Sequence, residues 1–201
     1  PNHLSQWVSS DQKARAIITK EFASSKNALS APQVAFVSRA SLSTGDNLFV
    51  SSSMPVRDLE WFGGDCSLLQ VFSNRGANGI DGVIASAIGV AIATRQKTLV
   101  LLGDVAFLHD SSSLTALADR DVDLKIVVTD NDGGGIFHYL PQAEIVSEKV
   151  FEKLFGTPHQ TDLVKMAQAH RLATFECESV EQLQSSLSTS GSCVIRVRTD
   201  R

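Results

Sequence analysis

Two polar clusters, each following a short apolar run, contain the residues of this sequence best suited to hold a metal ion. Gly103-Asp104 follows Thr98–Leu102, and Asn131-Asp132-Gly133-Gly134-Gly135 follows Lys125–Thr129. A carboxylate, an amide oxygen and a backbone carbonyl are hard oxygen ligands that suit Mg2+ together with phosphate oxygens. The glycines would let the backbone approach a ligand closely, and a helix starting after Asp104 would offer free N–H groups to a phosphate. The clusters therefore predict a clamp for a metal ion and a diphosphate.

The clamp requires both clusters to lie at one edge of a sheet. Thr98–Leu102 and Lys125–Thr129 are short and uniformly apolar, as strands buried on both faces are. A helix over Ser111–Asp119, with Asp110 as its N-cap, would connect them as a βαβ unit. Because such crossovers are right-handed, both strands are expected to end at the same edge, about 4.8 Å apart if they are neighbours.

The same alternation of strands and helices continues along the chain. It predicts an α/β fold with an open, mostly parallel sheet of about six strands and helices on both faces. Residues 1–28, with an amphipathic helix over Leu4–Phe22, are predicted to be an N-terminal helix and linker from a preceding domain, and residues 29–201 the diphosphate-binding domain. The other predicted strands are Asn47–Val50, Leu68–Phe72, Leu172–Glu176 and Cys193–Val197, and the other predicted helices are Pro32–Leu42, Val83–Thr94, Asp162–His170 and Val180–Ser188.

Composition narrows the class of protein. With 201 residues, of which 43% are hydrophobic, the chain is long enough for one domain with a substantial core. A net charge of -4 argues against a nucleic-acid-binding surface, which would need a basic stripe. The three cysteines lack metal-ligand spacing and indicate reduced thiols in a cytoplasmic protein. No apolar run is long enough to predict a membrane span.

Other ligand-binding motifs are absent or incomplete. Neither the dinucleotide-binding Gly-x-Gly-x-x-Gly nor the P-loop Gly-x-x-x-x-Gly-Lys occurs. The run from Asp130 to Gly133 resembles part of an EF-hand, but Val128 and Tyr139 stand where ligands belong. His109 and His138 lie close to the clamp in sequence and could transfer protons, although for His109 a role in ordering the loop before the crossover helix is favoured.

Longer phrases around the clamp resemble a known family. Gly103-Asp104 followed by Asn131 matches the metal-binding signature of thiamine-diphosphate enzymes. The wider phrases resemble the SEPHCHC (2-succinyl-5-enolpyruvyl-6-hydroxy-3-cyclohexene-1-carboxylate) synthases of menaquinone biosynthesis. The resemblance extends from Asn47 to about Pro141 and points to the C-terminal, diphosphate-binding domain of a three-domain enzyme. The phrases are Ser53-Met54-Pro55-Val56-Arg57-Asp58, residues 73–82, Phe107-Leu108-His109-Asp110, and residues 131–137 with Leu140-Pro141.

The resemblance implies roles for individual residues. Asp104, Asn131 and the Gly133 carbonyl would bind Mg2+, or Mn2+ in its place, and the ion would hold the diphosphate of the cofactor, thiamine diphosphate. Ser51-Ser52-Ser53 stands where the family commonly has Gly-Asn-Ser, so the substrate contact of that Asn is not carried over. The further implied roles are Ile80 as an apolar wedge under the thiamine, Ser53 and Gly103 in cofactor binding, Arg57 and Arg75 on substrate carboxylates, and Ile136 and Phe137 as walls of the substrate pocket.

The reaction that the resemblance implies is a carboligation. It decarboxylates 2-oxoglutarate and adds the succinyl carbanion equivalent to isochorismate, with the cofactor supplying the carbanion chemistry. The implied enzyme is a homodimer or homotetramer whose own N-terminal and middle domains complete the site, including an activating Glu from a partner subunit. No Glu here matches that role, so this chain alone is expected to be inactive. Two alternatives stay open, namely another thiamine-diphosphate enzyme of the acetolactate synthase or decarboxylase type, and a non-catalytic binding module of the same fold.

Overall fold

A single parallel sheet forms the centre of the protein. The computed structural model describes residues 3–24, 29–74 and 79–201. Within them the strands have the order β2-β1-β3-β4-β6-β5, and every neighbouring pair is parallel. The predicted α/β sheet is therefore confirmed. The strands are β1 (Asn47–Val50), β2 (Gln70–Phe72), β3 (Thr98–Gly103), β4 (Leu124–Asp130), β5 (Ala173–Cys177) and β6 (Cys193–Arg198).

Helices lie between the strands along the chain. Two 3-10 helices cover Ser111–Ala116 and Gly135–Tyr139, and a π-helix covers Glu152–Gly156. The α-helices of the described residues are α1 (His3–Ser24), α2 (Ala31–Ala40), α3 (Met54–Phe62), α4 (Val83–Thr94), α5 (Asp104–His109), α6 (Gln142–Ile145), α7 (Glu148–Phe151), α8 (Leu163–Ala169) and α9 (Val180–Leu187).

Both faces of the sheet are covered, because the side chains of its central strands alternate between two apolar clusters. In β3, Val100 and Leu102 pack into one cluster with residues of α4 and α8. Leu99 and Leu101 pack into the other cluster with residues of α2 and α9. This alternation explains why the strand is uniformly apolar: each of its faces meets a helical layer.

The connection between β3 and β4 differs from the predicted crossover helix over Ser111–Asp119. It consists of α5, a break at Asp110 and a 3-10 helix that ends at Ala116. Serine hydroxyls compete with helical hydrogen bonds, and here Ser113 Oγ donates to Asp110 Oδ1 at 2.6 Å while Ser111 Oγ donates to the carbonyl of Leu108 at 3.0 Å. The serine run therefore shortens the helix.

Helix α1 has the predicted position, but none of its residues is buried. It contacts the rest of the protein through Phe22, whose ring lies 5.3 Å from that of Phe36 and 6.2 Å from that of Phe62. Leu4 and Trp7 remain 75% and 76% exposed. The division of the chain between residues 28 and 29 stays a prediction. None of the helices in the described part of the chain is long and apolar enough to cross a membrane.

Candidate functional site

The strand order reverses between β1 and β3, and a cavity of about 330 Å3 lies beyond the carboxyl ends of these strands and β4. Ligands of open α/β sheets bind at such a reversal. Residues from well-separated parts of the sequence meet there. The cavity is lined by eight of the ten predicted site residues, namely Ser53, Ile80, Gly103, Asp104, Asn131, Gly133, Ile136 and Phe137.

The strand register brings the two halves of the predicted clamp together. Gly103 at the end of β3 pairs with Thr129 of β4. Asp104 therefore leaves the sheet beside the last residue of β4, one position before Asn131. This is the arrangement expected when two parallel neighbours end in polar residues at one edge.

The Asp104 carboxylate is buried and is held by backbone N–H groups. Its Oδ2 accepts from Asn131 N at 3.1 Å and from Gly133 N at 2.8 Å, and its Oδ1 accepts from Val105 N at 2.7 Å. Burial raises the pKa of Asp104 above its usual value, and the nearby Asp130 carboxyl acts in the same direction. The hydrogen bonds from Gly133 and Val105 favour the ionised form and oppose this increase in pKa.

The remaining oxygen donors fit a hard cation. Asn131 Oδ1 is buried and has no hydrogen-bond donor within the described residues. The carbonyl oxygen of Gly133 accepts from Gly135 N at 3.1 Å and keeps a second lone pair. Together with Asp104 these groups offer a carboxylate, an amide oxygen and a backbone carbonyl, the donor types that Mg2+ prefers. A cation here would satisfy the buried amide oxygen.

Gly133 and Gly134 are tightly packed against a later segment of the chain. A Cβ on Gly133 would lie 1.9 Å from the carbonyl oxygen of Gly156, and one on Gly134 would lie 2.2 Å from that of Phe155. The N–H of Gly134 donates to the Gly156 carbonyl at 2.8 Å. The sequence analysis expected these glycines to let a ligand approach the backbone closely. In the structure the group that approaches them is the protein's own backbone, at Gly156 and Phe155.

His159 is a site residue that the sequence did not indicate. Its Nε2 lies 3.3 Å from Asp104 Oδ2 and 3.9 Å from Asp130 Oδ1, and its side chain is only 14% exposed. Asp104, Asp130 and His159 together are a group of the described residues whose spacing could hold a metal ion. The histidine is far from both clusters in sequence and carries no motif, so only the tertiary fold reveals it.

The wall of the cavity formed after β1 is strained at Ser53. This residue has φ 74° and ψ -138°, a conformation that residues with a side chain rarely adopt. The neighbouring Ser52 donates from Oγ to the Gly79 carbonyl at 3.3 Å, which connects the segment after β1 to the segment before α4. The opposite walls are apolar and include Ile80, Ile136 and Phe137.

Arg57, one of the two predicted substrate-binding arginines, is not among the described residues that line the cavity. Arg57 is exposed on α3, and its Nη1 donates to the carbonyl of Ser53 at 2.6 Å, so its guanidinium contacts the backbone of a cavity-lining residue. Arg75 lies outside the described residues. Their assignment to substrate carboxylates stays a prediction.

The structure gives contacts for three further residues that the sequence analysis singled out. His109 Nδ1 lies 3.1 Å from Asp81 Oδ1, and His138 packs edge-on to Phe151; neither histidine lines the cavity. Asp110 makes no capping bond to its own 3-10 helix. Instead its Oδ2 accepts from the N–H of Ala85 at 2.9 Å, in the first turn of α4. Because the cap of α4 is Gly82, which has no side chain, Asp110 supplies the missing acceptor from another element.

A larger cavity, of about 650 Å3, lies beyond β4, β5 and β6. Its polar lining includes Asp130, Asp132 and Arg196, and it shares Asn131 with the smaller cavity. Arg196 is buried and donates to Asp130 Oδ2 and to Glu176 Oε1, each at 2.6 Å. The central charges of this cavity are therefore already paired.

Comparisons with known proteins match most of the chain to one family of domains. Residues 67–197 match the family model described as "Thiamine pyrophosphate enzyme, C-terminal TPP binding domain"; thiamine pyrophosphate and thiamine diphosphate are the same molecule. The chain is 42% identical over 98% of its length to 2-succinyl-5-enolpyruvyl-6-hydroxy-3-cyclohexene-1-carboxylate synthase of Chloroflexus aurantiacus, and 39% identical over 97% to that of Myxococcus xanthus. It spans about a third of each relative, 34% in both cases.

A solved structure has the same fold at low sequence identity. Benzoylformate decarboxylase from Polynucleobacter necessarius aligns with a TM-score of 0.69 and 18% identity, over 84% of this chain and 33% of the other. The cavity beyond β1, β3 and β4 thus lies in a sheet whose fold this decarboxylase shares.

Proposed function

The chain belongs to the family of thiamine pyrophosphate enzyme C-terminal, TPP-binding domains, and from this premise we propose that it holds thiamine diphosphate through Mg2+ in the smaller cavity. The observation that carries the proposal is the convergence of Asp104, Asn131 and Gly133 on one cavity, with Asn131 Oδ1 buried and lacking a donor among the described residues. Mn2+, which also accepts oxygen ligands, would serve in the same place.

The walls of the cavity suit the organic part of the cofactor. Thiamine diphosphate supplies the carbanion chemistry when it is bound. Ile80 would support the thiamine from below, and Ser53 and Gly103 would border it. Ile136 and Phe137 would form the substrate side of the cavity, where their apolar surfaces exclude water and strengthen the electrostatic interactions within.

Arg57 and Arg75 would bind substrate carboxylates. A guanidinium group pairs with a carboxylate through two parallel hydrogen bonds, so arginine is well suited to a dicarboxylic 2-oxo acid. In the structure Arg57 Nη1 donates a hydrogen bond to the carbonyl of Ser53, a residue that lines the cavity. A change of side-chain rotamer would be needed to turn its guanidinium toward a substrate.

The whole protein that carries this domain would decarboxylate 2-oxoglutarate and add the succinyl group to isochorismate, as the names of its relatives suggest. Because the chain spans about a third of those relatives, the remaining domains would complete the site in a homodimer or homotetramer, which we propose to be cytoplasmic. An activating Glu would come from that remainder, and the present chain alone would be inactive.

Cofactor binding tests the first part of the proposal. Calorimetric titration with thiamine diphosphate and Mg2+ should show binding that Asp104→Ala weakens at least about 100-fold, because the cation loses its charged ligand. The matched control is Asp200→Ala, which removes an exposed carboxylate of the larger cavity and should leave the affinity unchanged. Equal affinity of wild type and Asp104→Ala would refute the cation site.

Turnover tests the second part. The full-length protein should convert 2-oxoglutarate and isochorismate in preference to other 2-oxo acids, and Arg57→Ala should raise the KM for 2-oxoglutarate. Preference for pyruvate or an aromatic 2-oxo acid would instead favour an acetolactate synthase or decarboxylase type. Cofactor binding without turnover in the full-length protein would favour the non-catalytic module, and robust turnover by this chain alone would contradict its expected inactivity.

A further inference from the structure

His159 is held in one tautomer by the backbone next to it. The N–H of Thr161 donates to His159 Nδ1 at 3.0 Å, so this nitrogen is the acceptor of the ring. In a neutral imidazole the other nitrogen then carries the hydrogen. Nε2–H therefore acts as a donor, and its nearest acceptor is Asp104 Oδ2 at 3.3 Å.

This donor completes an unequal distribution of hydrogen bonds on the Asp104 carboxylate. Oδ2 receives three N–H groups, from Asn131, Gly133 and His159. Oδ1 receives one, from Val105. A carboxylate oxygen has two lone pairs, so Oδ2 has no free acceptor capacity and Oδ1 retains a lone pair.

The same segment also fixes the backbone around the cavity. Asp132 Oδ1 accepts from the N–H groups of His159 at 3.0 Å and Gln160 at 2.7 Å. The carbonyl of Gly156 accepts from Gly134 N. The backbone from 156 to 160 therefore contacts the loop around Gly133 at two of its residues, Asp132 and Gly134. The imidazole of His159 is the part of that segment that reaches Asp104.

We infer that His159 is a positioning residue that orients Asp104 so that Oδ1, and not Oδ2, binds the cation. The inference rests on the proposed function, because the cation is the one proposed for the cofactor. Outer hydrogen-bond partners of metal ligands typically change metal affinity by about 10- to 100-fold when they are removed. His159 would act in this way through a carboxylate ligand.

Mn2+ binding provides a test that needs no turnover. The amount of free Mn2+ is measured by electron paramagnetic resonance during titration of the full-length protein with Mn2+ at saturating thiamine diphosphate. His159→Phe keeps an aromatic ring but removes the donor, and should weaken Mn2+ binding about 10-fold or more. His159→Gln places an amide N–H near the position of Nε2, and should stay within about threefold of wild type.

Two further variants separate orientation from packing. His159→Asn places its amide near Nδ1 rather than Nε2, and should bind Mn2+ as weakly as His159→Phe; this pair decides the question even if the phenylalanine variant does not fold. His170→Phe is the matched control, since His170 is a partly buried histidine whose Nδ1 lies 3.1 Å from Thr115 Oγ1, away from the cavity. It should bind Mn2+ like wild type.

The outcomes distinguish the inference from the proposal beneath it. If wild type binds no Mn2+ with thiamine diphosphate, the proposed function fails and the inference fails with it. If wild type binds and all His159 variants bind equally well, the inference alone is overturned. Equal loss in the glutamine and asparagine variants would also overturn it, because the residue would then act through packing rather than through the Nε2 donor.

Discussion

The two cavities at the carboxyl edge of the sheet differ in the chemical character of their walls. The smaller, of about 330 Å3, has largely apolar walls, and it shares with the larger cavity Asn131, whose Oδ1 is buried without a donor among the described residues. The larger, of about 650 Å3, is lined largely by charged and polar side chains. Its buried Arg196 already donates to Asp130 and Glu176.

The proposed cation ligands separate the two cavities, because Asp104 and Gly133 are among the described residues that line the smaller cavity and not among those that line the larger. Buried polar groups in proteins nearly always have partners, and Asn131 Oδ1 would gain one from a cation bound beside Asp104 and Gly133. In the larger cavity, the guanidinium of Arg196 is paired with the carboxylates of Asp130 and Glu176. Neither pair needs a ligand to satisfy its charges.

The largest stability effect is expected from breaking this pairing in the larger cavity. Arg196→Met should lower the free energy of unfolding by about 3–5 kcal/mol, because it leaves the buried Asp130 carboxylate without its counter-charge. Glu176→Gln is the control: the side chain of Glu176 is 56% exposed, so this change should cost no more than about 1 kcal/mol. The measurement is equilibrium denaturation in urea. Similar losses in both variants would mean that the two ion pairs are equivalent.

The sequence predicted those parts of the smaller cavity that depend on local pattern. Gly103-Asp104 and Asn131 each follow a strand whose apolar run is visible, and parallel neighbours necessarily end at one edge. The confirmed strand pairing of Gly103 with Thr129 then brings both clusters to that edge. Ile80, Ile136 and Phe137 came from the family resemblance rather than from any pattern, and they too line the cavity.

Contacts between residues that are distant in sequence could not be predicted from local pattern. His159 reaches Asp104 from a loop 55 residues further along, between the π-helix and α8, and its sequence contains no periodicity that would indicate the contact. The side-chain cap that Asp110 provides for α4 was missed for the same reason. The direction of the Arg57 side chain depends on rotamer choice, which sequence spacing does not determine.

The second prediction tests the close packing of residues 131–135, the loop that follows β4 and borders both cavities. Gly133 has φ +138°, and a Cβ there would lie 1.9 Å from the Gly156 carbonyl oxygen. Gly133→Ala should therefore destabilise the protein by about 3 kcal/mol and weaken Mg2+-dependent cofactor binding. Gly89→Ala, in the interior of α4 with nothing within 4 Å of its Cβ position, should instead stabilise by about 0.5–1 kcal/mol. If Gly133→Ala is as stable as wild type and binds the cofactor as tightly, the packing of Gly133 against the Gly156 carbonyl does not constrain the loop.

The smallest effect concerns Asp58, a buried carboxyl group whose pKa is raised by burial. Asp58 lies in α3, the helix that begins at the wall of the smaller cavity, and burial raises its pKa to about 6. The folded protein thus keeps this proton at pH values where the unfolded chain has lost it, so the contribution of Asp58 to stability falls as the pH rises from about 4 to about 6.

Asp58→Asn removes this penalty. At pH 8 the variant should be more stable than wild type by at most about 3 kcal/mol, and the difference should vanish near pH 3.5. Asp119→Asn, which changes an exposed partner of Arg171, should shift stability by less than about 1 kcal/mol at either pH. Thermal unfolding across this pH range measures the difference. A gain that is independent of pH would show that Asp58 is not the titrating group, and a loss at pH 8 would mean that its charge is compensated after all, as that of Asp130 is by Arg196.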